Sequence, residues 1–230
     1  YPTYAMGAIL AGGESYPMPL REDQGYLPDL SAIPQRVAER AKILWINYPN
    51  NPTGAVADLE TYACCVAFAR EYGLLLCSDN PYCDLTFDGY VAPSVLQVPG
   101  AMDVAIEFNS LSKTYNMAGW RIGMAVGNAK AIRALSVIKT NIDSGIFMPI
   151  QDAAPAALNG DQSWIAERNL IYQRRRDIVM GWLPKVGLTA RPPKGALYVW
   201  AKLPEGQFES FEAFMGWLRQ IAENRLIDMH

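Results

Sequence analysis

Histidine is nearly absent: of 230 residues only His230, the last, carries an imidazole. Catalysis through a Ser-His or Cys-His pair, or through a histidine-ligated metal, therefore has almost no material. Any chemistry must use lysine, tyrosine, carboxylates or a cofactor. Cysteine is sparse as well. Cys64, Cys65, Cys77 and Cys83 make no CxxC pair and no zinc-like spacing with histidine, so they read as small hydrophobes of a reducing compartment. No apolar run reaches the length of a membrane span, and the opening "YPTYAMGAIL" lacks the charged start of a secretory signal. A cytoplasmic protein with no membrane partner is expected. Positive charge is not in excess: 20 Lys and Arg against 23 Asp and Glu leave −3, and the basic residues are dispersed. No nucleic-acid partner is expected. The one basic cluster, Arg174 to Arg176, lies in a helical pattern and reads as an exposed helix face. An initiator methionine is lacking too, and the chain stops directly after a helical pattern, so a segment of something longer is expected.

What is present is enough for a full core, since 50% of residues are apolar and 19% charged. Four short apolar runs show no polar alternation: "ILWIN" (43–47), "LLLCSD" (74–79), "VAIEFNS" (104–110) and "IGMAVGN" (122–128). Such runs suit strands covered on both faces, as in a parallel sheet. Between the first two, apolar residues recur at helical spacing from Leu59 to Phe68, with Asp58 as N-cap and Gly73 as C′ residue. The class is therefore α/β. The link from "EFNS" to "IGMAVGN" is too short for a crossover helix, which makes the last strand antiparallel. A mostly parallel sheet with one reversed strand and helices on both faces is expected. Helical patterns follow at 129–140, 148–158 and 162–183. After the break "PKVGLTARPPKG", the stretch "ALYVWAKL" reads as a strand and "SFEAFMGWLRQIAENR" as a helix. Residues 1–183 are expected to form a large domain and 184–230 the beginning of a smaller α+β one.

Polar residues gather where the apolar runs end: "NYPNNPTG", "SDNPY" and "NSLSK". In an open parallel sheet the carboxyl ends of the strands line the ligand crevice, so these loops converge. Taken singly each has a plain explanation. "NNPTG" is a turn set by Pro52 and Gly54, Asp79 caps the next segment, Tyr82 packs, and Lys113 is solvated. Taken together, an acid, an amide, a phenol, a lysine and Arg121 at one sheet edge can bind a charged planar cofactor.

The segment "SLSKTYNMAGWRIG" resembles the lysine segment of the class I/II pyridoxal-phosphate-dependent aminotransferases of fold type I. "NNPTG" and "SDNPY" match that family's two preceding signatures in order. Wording such as "YPNNPTGAVA", "FDGY" and "NIDSG" is most similar to the LL-diaminopimelate aminotransferase-like and aspartate aminotransferase-like branch. The resemblance implies that Lys113 binds pyridoxal 5′-phosphate covalently and that Asp79 pairs with its ring nitrogen. Tyr82 and Asn51 would bond the ring hydroxyl, Ser110, Ser112 and Arg121 the phosphate, and Tyr1 would stack on the ring. It also implies amino transfer between an amino acid and a 2-oxo acid, and a homodimer, with "KTNIDSG" (139–145) either at the contact or an ordinary helix end and loop. Two family features have no counterpart: the phosphate-binding turn before the stacking aromatic, and the carboxylate-gripping arginine near the C-terminus. A lyase of the same fold would share every residue assigned. A transcription regulator with an aminotransferase-like domain and a non-catalytic remnant are the readings from other classes.

Overall fold

A computed structural model of the chain describes residues 2–203, 210 and 212–217. Tyr1, His230 and most of the helix expected over 210–225 lie outside the described residues; within it, 212–217 are helical.

Four strands form the main sheet: β1 (Ile43–Asn47), β2 (Leu75–Asp79), β3 (Ala105–Ser110) and β4 (Gly123–Gly127). Their spatial order is sequential, with β1, β2 and β3 parallel and β4 antiparallel to β3. Among the described residues, these α-helices accompany them before the helical 212–217: α1 (Pro2–Leu10), α2 (Gln35–Arg40), α3 (Leu59–Tyr72), α4 (Leu111–Thr114), α5 (Ala129–Ile142), α6 (Met148–Asn159) and α7 (Ser163–Trp182). The four apolar runs thus become the four strands, and the short link before β4 holds only the single turn of α4 and a 3₁₀ turn at Ala118–Trp120.

The end signals of α3 act as expected. Asp58 accepts a hydrogen bond from Thr61 N at 2.8 Å, and Gly73 takes the left-handed conformation at φ 64°. Tyr62, Cys65, Val66 and Ala69 lie on its buried face and pack with Leu44 and Ile46 of β1, Leu76 of β2 and Ala105 of β3. Each fully buried Val, Leu or Ile side chain contributes about 1.5–3 kcal/mol, so this contact holds the β1-α3-β2 unit together. At the opposite edge β4 lies very close to β3. A Cβ on Gly123 would stand 2.7 Å from the Asn109 carbonyl oxygen, which is why a glycine is needed there.

Three features differ from the sequence-based expectations. Helix α1 carries no end signal that predicts it. The strand expected over 196–203 is reduced to β6 (Ala201–Lys202), paired with β5 (Thr189–Ala190). The residues before it pair elsewhere: Ala196 N donates to Leu85 O at 2.9 Å, and Gly195 bridges Thr86. Finally, the arginine triplet is not uniformly exposed, since Arg174 and Arg175 are exposed but Arg176 is buried. Its guanidinium grips Asp88 with bonds of 2.6 and 2.9 Å and donates to Pro193 O at 3.0 Å. Among the described residues no helix is long and apolar enough to cross a membrane, and no side-chain group is arranged to hold a metal.

Candidate active site

The parallel register aligns Asn47 with Asp79 and Asp79 with Phe108, so the last residues of β1 and β2 stand beside Phe108, and β3 runs two residues further, to Ser110, at the same sheet edge. Asn47 fastens the first two loops. Its Nδ2 donates to Asp79 O and its Oδ1 accepts from Asn51 N, both at 2.8 Å. The "NNPTG" turn is closed by Asn50, whose Oδ1 accepts from Thr53 Oγ1 at 2.6 Å and whose carbonyl accepts from Gly54 N at 2.9 Å. Gly54 adopts φ 68°, and a Cβ there would stand 2.4 Å from Pro193 Cβ. The stretch is therefore a built turn and also what carries Asn51 to the sheet edge. The Tyr48–Pro49 and Asn51–Pro52 peptide bonds are cis.

Asp79 ends β2 in a half-buried position. Burial pushes its pKa above the ordinary aspartate value, and a hydrogen bond from the Tyr4 hydroxyl to Oδ2 pulls the other way. The Tyr4 ring lies on Trp45 of β1 at 4.9 Å between centroids, and Trp45 lies on Phe108 of β3 at 5.4 Å. A flat aromatic layer thus flanks the carboxylate. Tyr82 is buried, and its hydroxyl meets the Tyr198 hydroxyl at 2.8 Å with the rings edge to face.

Beyond β3 the chain turns into α4. Ser110 is its N-cap, with Oγ accepting from Ser112 N at 3.2 Å, and Asn109 Oδ1 accepts from Ser110 N at 2.7 Å. Lys113 in this turn is half-buried, and among the described residues its ammonium has no hydrogen-bond or ion-pair partner. Ser112 is half-buried beside it. The β3–β4 register pairs Ser110 with Gly123, which brings Arg121, two residues earlier, to the same edge. Arg121 is exposed, takes the left-handed conformation at φ 55°, and spends one N–H on Ala118 O at 2.9 Å.

Asn51, Asp79, Ser110, Ser112, Lys113 and Arg121 thus sit on three consecutive strand ends and the turn between β3 and β4, while Tyr82 lies on the loop after β2. Tyr1 lies outside the described residues. Three further residues, Tyr4, Asn47 and Tyr198, are hydrogen-bonded to members of this set. Tyr4 had a signal, the second aromatic of "YPTY"; Asn47 had one, the amide closing "ILWIN"; Tyr198, inside "ALYVW", had none. The donor set fits a phosphorylated pyridine aldehyde: a half-buried carboxylate suits a protonated ring nitrogen, an amine with no partner among the described residues an aldehyde, and an exposed guanidinium at the same edge as a hydroxyl a phosphate.

The chain is similar to LL-diaminopimelate aminotransferase 2 of Trichormus variabilis, with 54% identity over 206 residues, covering 90% of this chain and 53% of the relative. It is 56% identical to LL-diaminopimelate aminotransferase of Moorella thermoacetica, again over 90% of this chain and 53% of the relative. Among solved structures, apo BacF from Bacillus subtilis superposes with a TM-score of 0.89 at 42% identity, covering 96% of this chain and 58% of that one. A probable N-succinyldiaminopimelate aminotransferase from Thermus thermophilus gives a TM-score of 0.83 at 40% identity, over 90% and 55% of the two chains. The chain spans about half the length of the curated relatives it matches. The family model for aminotransferase class I and II matches residues 1–223, and with relatives this similar over nine-tenths of its length, the chain belongs to that family.

Proposed function

We propose that the protein is a pyridoxal-phosphate-dependent aminotransferase moving an amino group from an L-amino acid to a 2-oxo acid. LL-diaminopimelate, for which its relatives are named, is the proposed donor, and 2-oxoglutarate is the proposed acceptor. The observation that carries this reading is the meeting, at one sheet edge, of a half-buried Asp79 with the turn that bears Lys113, whose amine has no partner among the described residues.

Pyridoxal 5′-phosphate, when bound, supplies an aldehyde for an amine and a ring that draws in the electron pair left by a departing α-proton. Asp79 would accept from the ring nitrogen and keep it protonated, with Tyr4 orienting the carboxylate. Asn51 and Tyr82 would bond the ring hydroxyl. Ser110, Ser112 and Arg121 would hold the phosphate, for which the planar guanidinium fork is better matched than an ammonium. The family resemblance gives Tyr1 the role of the residue that would stack on the ring. Lys113 Nζ would be the base that takes the proton from the substrate α-carbon.

The reading extends to a large unit over 1–183, a second over 184–230, and a cytoplasmic homodimer. Exposed Ile142, Phe147 and Met148, in and beside the 139–145 segment, support the dimer, and the free thiols support a reducing compartment. Incubation with LL-diaminopimelate and 2-oxoglutarate tests the activity. Glutamate formed in proportion to donor consumed is expected; ammonia without glutamate would instead make the protein a lyase.

A further inference from the structure

Arg168 stands on α7 and is 8% exposed, yet among the described residues no carboxylate lies within ion-pair distance of its guanidinium. Its N–H groups go to peptide carbonyls instead. Nη1 donates to Lys113 O at 3.2 Å and to Thr114 O, and Nη2 donates to Asp84 O at 3.1 Å. The neighbouring Asn169 reinforces the junction, with Nδ2 donating to Asp84 O at 2.8 Å and Oδ1 accepting from Arg168 Nη2 at 2.8 Å. Thr114 Oγ1 closes it by donating to Asp84 Oδ2 at 3.1 Å, and the Trp164 ring covers the guanidinium at 5.3 Å.

Burying a cation without a counter-ion is costly, and burial pushes the pKa of Arg168 down. What this cation achieves is a junction between two segments. One carries Tyr82 and ends at Asp84; the other is the α4 turn that carries Lys113. Carbonyls at the end of so short a helix lack intrahelical partners, and a planar fork of five N–H groups can reach both segments at once. A lysine at the same position would bring the charge without the fork.

We infer that Arg168 is a positioning residue for Lys113, fixing the α4 turn against the Tyr82 loop so that the lysine amine projects from a set place. The inference rests on the reading of Lys113 as the cofactor-bearing lysine. Arg176, also buried on α7, supplies the contrast because its guanidinium bonds to Asp88, Asp177 and Pro193 and donates to neither segment's end.

The test compares wild type, Arg168→Met, Arg168→Lys, Arg176→Met and Lys113→Ala. Three quantities are read: the thermal midpoint without cofactor, the rate at which a borohydride-reducible band appears after adding pyridoxal phosphate, and kcat with KM. Displacing a reacting group by about 1 Å costs up to about a hundredfold, so Arg168→Met is expected to slow attachment about tenfold or more and to lower kcat more than it raises KM. Arg168→Lys is expected to fall between it and wild type. Arg176→Met, compared at equal folded fraction, is expected to attach cofactor at the wild-type rate. Wild-type attachment by Arg168→Met overturns the inference, as does equal slowing by Arg176→Met. If Arg168→Met does not fold, Arg168→Lys carries the test alone, and a rate equal to wild type overturns it. A wild-type protein with no reducible band, or one matched by Lys113→Ala, overturns the reading of Lys113 and this inference with it.

Discussion

Replacing Arg176 by methionine removes the clamp that joins the "FDGY" turn, α7 and the segment before β6, and the structure sets the size of the loss. The pair with Asp88 is bidentate, but the Asp88 side chain is 44% exposed against 7% for Arg176, so solvent screens much of its attraction. About 1 kcal/mol is a fair value for that part, and the pair with Asp177 at 2.7 Å, whose side chain is 55% exposed, adds at most about 0.5 kcal/mol. The Pro193 carbonyl loses its charged donor at 3.0 Å, which costs about 1–2 kcal/mol more. Methionine keeps the apolar contact with Phe87 but loses the cation over its ring at 5.2 Å, about 0.5–1 kcal/mol. The total is about 3 kcal/mol, which for a chain of this size lowers the thermal midpoint by about 6–12 °C. Circular dichroism melts at neutral pH read it directly. Acidification supplies a second check with a definite sign. Hydrogen bonding from Arg176 holds the Asp88 pKa below the ordinary aspartate value. Its stabilising contribution is therefore present above the unfolded pKa, about 3.9, and lost as pH falls through the folded value. The gap between wild type and Arg176→Met should narrow below about pH 4. A neutral-pH loss under about 1 kcal/mol, or a gap unchanged on acidification, would refute the reasoning.

Other perturbations probe the site and the sheet. Tyr4→Phe keeps the ring on Trp45 and removes only the hydroxyl that donates to Asp79. One charge-assisted hydrogen bond corresponds to about a tenfold fall in kcat. Because burial already raises the Asp79 pKa, loss of the donor raises it further, so the acid limb of the pH–rate profile should move to higher pH. An unmoved limb would show that Tyr4 does not act on the carboxylate. Gly123→Ala puts a Cβ 2.7 Å from the Asn109 carbonyl oxygen, and forcing β4 off β3 should cost about 1–3 kcal/mol in denaturant melts. A midpoint equal to wild type would mean that the two strands are not held this closely.

The strands were readable because runs such as "ILWIN" and "LLLCSD" are apolar without alternation, and α3 because Asp58 and Gly73 mark its ends chemically. The convergence of Asn51, Asp79 and Ser110 followed from parallel strand order alone. Tyr4 could not be assigned that way. Its partner lies 75 residues along the chain, and only the docking of α1 against the sheet brings them together. In "RRR", helical phase decides which arginine points inward, and that phase depends on where Asp88 and Pro193 lie. The shortening of the strand in "ALYVWAKL" has the same origin, because Gly195 and Ala196 pair with Thr86 and Leu85 from a distant loop. Local pattern thus reveals elements and their ends, while contacts between far-separated segments complete the site.

The central claim is that Lys113 is the residue to which pyridoxal phosphate becomes attached. Absorbance spectra of the protein and of Lys113→Ala, taken after adding the cofactor and again after borohydride, test it most directly. The wild-type protein should show a band that borohydride abolishes and that remains with the chain on denaturation, and Lys113→Ala should show none. Equal retention by both proteins would contradict it.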